Sequence, residues 1–216
     1  MLKNNFATTF SDPITGNEFS LYMLFVSSFI LNKCSDIGPG EFQYRIYPFI
    51  HERDNVLKWD DIETEVKFPD VNILTTENEG GQMNMSMGEF LDVYQTSDSF
   101  DSILSVFFID TAHNVADYIE KIHKILRKGG LWVCLSCISR IIASSKINNG
   151  PLLYHYTEVA GEDSVELSWE EIKQIIKMVG FTIEVEQSLK GLTYTQNPER
   201  IMRNTFDTIF FVARKT

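Results

Sequence analysis

F-D-S-I-L-S-V-F-F-I-D-T-A-H-N-V-A-D-Y-I-E-K-I-H-K-I-L-R-K-G-G-L-W, residues 100–132, is the stretch that decides the fold. Ile103, Leu104, Val106, Phe107, Phe108 and Ile109 form a short run of β-branched and aromatic residues, the composition of a strand covered on both faces. The run ends on a carboxylate, Asp110. Val115, Ile119, Ile122 and Ile125 then recur at helical spacing, with Leu126 beside the last of them. Gly129-Gly130 is expected to close that helix before a second apolar run, Leu131–Leu135. Strand, helix and strand in this order make a βαβ unit, which predicts an α/β fold with parallel strands. In an open parallel sheet, ligands bind beyond the carboxyl ends of the strands, so Asp110 and the turn after it fall on the binding edge. Position alone leaves a plainer role open, because Asp is also favoured at helix caps and turns.

Composition bounds the remainder. A chain of 216 residues with 44% hydrophobic content can bury one core of ordinary size, and one domain is expected. A formal charge of −11 argues against nucleic acid as a partner, since binding a phosphate backbone relies on Lys and Arg. A cationic small molecule suits it better. There is no run of 18 or more apolar residues, and Met1–Asn5 lacks a basic region followed by a long apolar stretch. No membrane association and a cytoplasmic location are expected, with the nucleus as an alternative. Cys34, Cys134 and Cys137 make no disulfide framework. Cys134-Leu-Ser-Cys137 has C-x-x-C spacing, but no second ligand pair accompanies it and it begins inside an apparent strand, so a chance spacing is the better account.

Along the chain, residues 1–15 read as an irregular N-terminus. Leu21, Met23, Leu24, Phe25, Phe29, Ile30 and Leu31 predict a helix apolar on so many sides that it should be buried. Glu18, just ahead of it, is well placed as a helix-start carboxylate. Ile37–Lys67 reads as a long connection with little regular structure, in which His51 is expected to pack. Val66–Ile73 is expected to be a short edge strand interrupted by Pro69. Asn84–Tyr94 should turn into a helix with Phe90, Leu91 and Tyr94 inward. Ser136–Asn149, rich in Ser, Asn and Ile, reads as an inserted peripheral loop. Ser168 and Glu171 form a capping box for a helix carrying Ile172, Ile175 and Ile176, ended by Gly180. Phe181–Glu186 and Thr208–Ala213 alternate as two closing strands.

F-F-I-D-T-A-H-N-V with K-I-L-R-K-G-G-L-W resembles the segment after the fourth strand of S-adenosylmethionine-dependent methyltransferases, and specifically that of the carnosine N-methyltransferase family. G-N-E-F-S-L-Y-M-L-F-V-S-S-F-I-L-N-K-C, the Y-P-x-I-H stretch at Tyr47–His51 and G-P-L-L-Y-H at Gly150–His155 are similar to the same family. The resemblance implies a Rossmann-like sheet with helices on both faces and a methyltransferase domain over 16–216. Nothing before Gly16 matches the family's G-x-G-x-G-R stretch, so the sheet is expected to be short of its first strand, with donor binding weakened accordingly. By resemblance, Glu18 would bind the ribose hydroxyls of S-adenosylmethionine, Glu89 and Phe90 its adenine, and Val106 would join them in the donor site. Asp110 would be the catalytic residue, accepting the imidazole N–H of the substrate. His155 and Tyr194 would hold the rest of a dipeptide, with Asn204 and Phe206 standing where the family has tyrosines. The function implied is N-methylation of the imidazole of carnosine or a related His-containing peptide. The alternative is a truncated, inactive member acting as an interaction or substrate-binding protein. A homodimer would form through the family's N-terminal region, which is expected to be missing here.

Overall fold

The computed structural model describes residues 13–33, 42–53, 55–68, 83–136, 167–193 and 197–216. The fold class is α/β, as expected. The chain divides into two compact units, Met1–Val93 with Gln196–Met202, and Tyr94–Thr195 with Arg203–Thr216.

In the first unit, β1 (Ile14–Glu18) is followed by α1 (Leu21–Asn32), β2 (Tyr44–Ile46), a 3-10 turn (Trp59–Glu63), β3 (Val66–Phe68), β4 (Met83–Met87) and a single helical turn, α2 (Phe90–Val93). β1 and β4 pair in parallel, with Ile14 opposite Met83 and Glu18 opposite Met87. The Asn17 side chain ties the pair by donating to the carbonyls of Ser86 and Gly88. Ile14 and Thr15 therefore belong to a strand, where an irregular terminus is expected from the sequence. Ile37–Lys67 holds more structure than its Pro and charge content suggests, because β2 and β3 form an antiparallel ladder. Tyr44 explains it: its ring meets Phe29 edge-on at 5.1 Å and stacks on Phe68 at 5.4 Å. The edge strand expected over Val66–Ile73 ends at Phe68, and the positions from Pro69 on lie outside the described residues. His51 is exposed rather than packed, and Phe49 is the buried member of its cluster.

Helix α1 corrects a second expectation. Ser20 caps it as a helix start should be capped, accepting from the Met23 N–H, yet none of its residues is buried. Tyr22 is 84% exposed and Phe25 65%. Burial depends on what packs around a helix, and an all-round apolar surface specifies no particular side for a partner to cover.

The second unit is a four-stranded sheet in the order β5-β6-β8-β7, made of β5 (Phe100–Val106), β6 (Leu126–Ser136), β7 (Phe181–Leu192) and β8 (Phe206–Lys215). β5 and β6 are parallel, and β8 runs antiparallel to both β6 and β7. Helix α3 (Val115–Ile125) makes the crossover, its start held by Asn114, whose side chain accepts from the Ala116 N–H at 3.1 Å. Its buried stripe is Val115, Tyr118, Ile119, Ile122 and Ile125. The glycine pair does not stop the helix. The chain is already extended at Leu126, and Gly129-Gly130 lies in a bulge where the register slips between Phe100 and Ser102 of β5. A Cβ on Gly130 would sit 2.8 Å from the Arg127 carbonyl oxygen and 2.9 Å from that of Asp101, so the bulge needs a glycine there.

Helix α4 (Trp169–Val179) carries the expected capping box of Ser168 and Glu171 and ends at Gly180, whose φ is +111°. The core lies between these helices and one face of the sheet. Trp132, fully buried, meets Phe211 at 4.9 Å and Phe181 at 5.6 Å and donates its indole N–H to Ser105 Oγ at 2.9 Å. Each such apolar side chain contributes about 1.5–3 kcal/mol on burial. Trp169 of α4 stacks on Phe211, and His123 of α3 meets Phe181 edge-on. On the opposite face Leu104 is 71% exposed, and Val106 and Val185 are exposed as well. Among the described residues, no helix is long and apolar enough to cross a membrane.

Candidate functional site

The carboxyl end of β5 is where the second unit gathers its polar chemistry. Phe107 extends the strand by one hydrogen bond, donating its N–H to the Leu135 carbonyl at 2.8 Å, but with φ of +48°, a conformation costly for a bulky residue. The chain then leaves the sheet and folds into a 3-10 turn, Ile109–Thr111. Ile109 is buried and anchors the turn, and Thr111 closes it by donating both its N–H and its hydroxyl to the Phe108 carbonyl. Asp110 sits between the two. Its Oδ1 accepts a hydrogen bond from Ser136 Oγ at 3.1 Å, and Ser136 is the buried last residue of β6. The Phe107 ring meets that of Phe206, the first residue of β8, at 6.4 Å.

Asp110 is therefore a turn residue, as its position allows, and it also lies at the carboxyl edge of the parallel pair, as the βαβ reading requires. Helix α3 is capped by Asn114 instead. Val106 ends β5 and Phe206 begins β8, so both stand at this edge; Asn204 is exposed in the segment leading to β8. His155 and Tyr194 lie outside the described residues. Cys134 faces the same side of β6 as Ser136. Burial pushes its thiol up to about 12, with a hydrogen bond to Ser105 opposing and the charge of Asp110 reinforcing the shift. A thiol held protonated in this way is a poor nucleophile near neutral pH. Among the described residues, no three His, Cys, Asp or Glu side chains gather as a metal site.

The first unit has its own carboxylates at strand ends. Glu18 closes β1, and its Oε1 accepts from the Ser20 N–H at 2.7 Å. Glu89 follows β4, and its Oε2 accepts from the Leu91 N–H at the start of α2. Because Glu18 stands opposite Met87, these two groups leave neighbouring parallel strands at the same end. Phe90 is buried. A single Rossmann-like sheet, as the resemblance implies, would carry all three carboxylates along one edge. The structure distributes them over two parallel pairs in separate sheets, with Glu18 and Glu89 in one unit and Asp110 in the other.

Ser136 and Phe107 are the residues that sequence reading missed. Ser136 was assigned to an inserted loop over Ser136–Asn149, yet it completes the alternation Trp132, Cys134, Ser136 along β6, and that period of two was the available signal. The positions after it lie outside the described residues. A groove of about 500 Å³ between α3 and α4, lined by Ala116, Glu120, His123, Ile175, Met178 and Val179, contains none of the expected site residues. Hydrogen-bonding groups at strand ends, rather than groove size, mark the site.

Comparison with known proteins adds a family. The family profile described as carnosine N-methyltransferase matches residues 8–216. The mouse protein named carnosine N-methyltransferase is 40% identical over 200 residues, covering 93% of this chain and 45% of its own length. The Drosophila melanogaster protein named carnosine N-methyltransferase unmet is 38% identical, covering 93% of this chain and 40% of its own. The chain thus spans less than half the length of these curated relatives. A solved methyltransferase from Methanosarcina mazei aligns with a TM-score of 0.43 at 10% identity, over 63% of this chain and 68% of that one.

Proposed function

The chain belongs to the carnosine N-methyltransferase family, and on that premise we propose that it serves S-adenosylmethionine-dependent methyl transfer to an imidazole nitrogen of carnosine or a related His-containing peptide. The observation that carries the reading is the placement of Asp110. It leaves the carboxyl end of a parallel strand on a short turn, with one carboxylate oxygen held by a hydroxyl.

The first unit has donors and acceptors of the kind the methyl donor needs. A carboxylate accepts two hydrogen bonds from a vicinal diol, and Glu18 and Glu89 leave adjacent strands in the same direction, each with one oxygen fixed by a backbone N–H. Glu18 would hold the ribose hydroxyls, and Glu89 and Phe90 would contact the adenine. When bound, the donor supplies a methyl group on a sulfonium, a leaving group that departs as a neutral thioether.

For this chain's residues the task is orientation and charge. A neutral imidazole has one N–H and one lone pair, and only the nitrogen with the lone pair attacks the methyl carbon. If Asp110 accepts the N–H of one ring nitrogen, the other must present its lone pair. As the new N–C bond forms and the S–C bond breaks, the ring becomes an imidazolium, and the same carboxylate faces the developing positive charge. Phe206, its ring set against Phe107, gives the site an apolar wall where the family has a phenol, and Asn204 offers an amide. The test is a radiolabelled methyl-transfer assay with carnosine, followed by NMR location of the new methyl group. A methyl on the imidazole ring supports the reading, and transfer to the amino terminus alone, or no transfer, contradicts it.

A further inference from the structure

Ser136 is buried at the end of β6, and its hydroxyl donates to Asp110. The two residues are anchored very differently. β6 is an inner strand, paired with β5 on one side and β8 on the other, and Ser136 stands in register with Ile209. Asp110 rides on a 3-10 turn of three residues outside the sheet. A second serine on this face, Ser105, has its hydroxyl against the indole of Trp132, in the core. Ser136 instead directs its single O–H at a carboxylate.

We propose that Ser136 is a positioning residue, whose hydroxyl fixes the Asp110 carboxylate to the rigid sheet so that it meets the imidazole N–H in one orientation. The proposal rests on the reading of Asp110 given above. A hydroxyl that donates to a carboxylate also favours its ionised form, so loss of the hydroxyl has a signature that a purely structural serine would lack. Cys134, the ionisable group on β6 that senses Asp110, has its thiol pushed up to about 12. It stays uncharged while a carboxyl titrates, so the thiol adds no charge of its own to that titration.

The experiment follows the Asp110 carboxyl carbon by NMR through an acid titration of the wild-type protein and of the Ser136→Ala, Ser136→Gly and Ser136→Thr variants, alongside kcat and KM for carnosine. Removal of the hydroxyl should move the Asp110 titration up by about one pH unit, since a hydrogen bond to a charged group is worth about a tenfold change or more. It should lower kcat by about tenfold with a smaller change in KM, and Ser136→Thr should restore both. A folded Ser136→Ala or Ser136→Gly variant in which Asp110 titrates as in the wild type overturns the proposal. If the wild type transfers no methyl group, the reading of the site fails, while the titration still decides whether Ser136 holds Asp110.

Discussion

Helices α1 and α3 are almost equal in length, 12 and 11 residues, and differ in nearly everything else. α3 concentrates its large apolar side chains on one side and buries them against sheet and helix; α1 is apolar all round and buries none. The contrast extends to their units. Among the described residues, the buried apolar side chains of the first unit are Phe49 and Phe90, and the others, from Ile109 to Ala213, lie in the second. An amphipathic period names the direction of a helix's partner, whereas high hydrophobicity without a period records only that some partner is favoured.

The comparison breaks first at single core positions. Ile122→Ala, at a fully buried position of α3, should cost about 2–5 kcal/mol of stability, while Phe25→Ala in α1 should stay within about 0.5 kcal/mol. Urea unfolding of the two variants measures the difference. Comparable losses would mean that α1 is packed as tightly as α3.

Gly180 sharpens the contrast from the other side of α3. Its φ of +111° and the 2.9 Å between an added Cβ and His123 Nε2 leave no room for a side chain. Gly180→Ala should cost roughly 1–3 kcal/mol, read as a lower Tm. A neutral result would mean that the end of α4 can shift away from α3.

The smallest effect is a pH dependence. His123 has its pKa lowered, first by burial and then by the charge of Lys215, against opposing contributions from Asp98 and the Gly180 backbone. Its Nε2 is buried without a hydrogen-bond partner. The folded state therefore prefers the neutral ring. The contribution to stability is fully present above the unfolded value of 6.5 and is lost as pH falls through the folded one. His123→Gln should flatten the acid side of a stability-against-pH curve, and an unchanged slope would contradict the assignment.

The βαβ unit was legible because each of its parts had a local cause, apolar runs for β5 and β6 and a period of 3.6 for α3, and α4 was legible in the same way from the serine and the glycine that bound it. Asp110 was legible for the same reason, as the first carboxylate after a strand. What escaped reading depended on distant partners. Ile14 and Thr15 become a strand because β4 lies alongside, and Tyr44 joins a ladder in which its ring packs against Phe29 and Phe68. The glycine pair looked like a helix stop because a bulge against β5 leaves no trace in the local pattern. Ser136 reads as loop because the segment it opens is rich in Ser, Asn and Ile and shows no partner element, although its hydrogen-bond partner lies 26 positions earlier. Glu18 and Glu89 were placed by resemblance, and their common direction follows from the register of β1 and β4.

The most direct test of the central claim is turnover by Asp110→Asn. The amide keeps the shape of the carboxylate but carries no charge to face an imidazolium. With carnosine and S-adenosylmethionine saturating, kcat should fall by about 10²–10³ while the variant unfolds at the wild-type temperature. Turnover within a few-fold of the wild type would show that Asp110 is a turn residue only and that the imidazole is handled elsewhere.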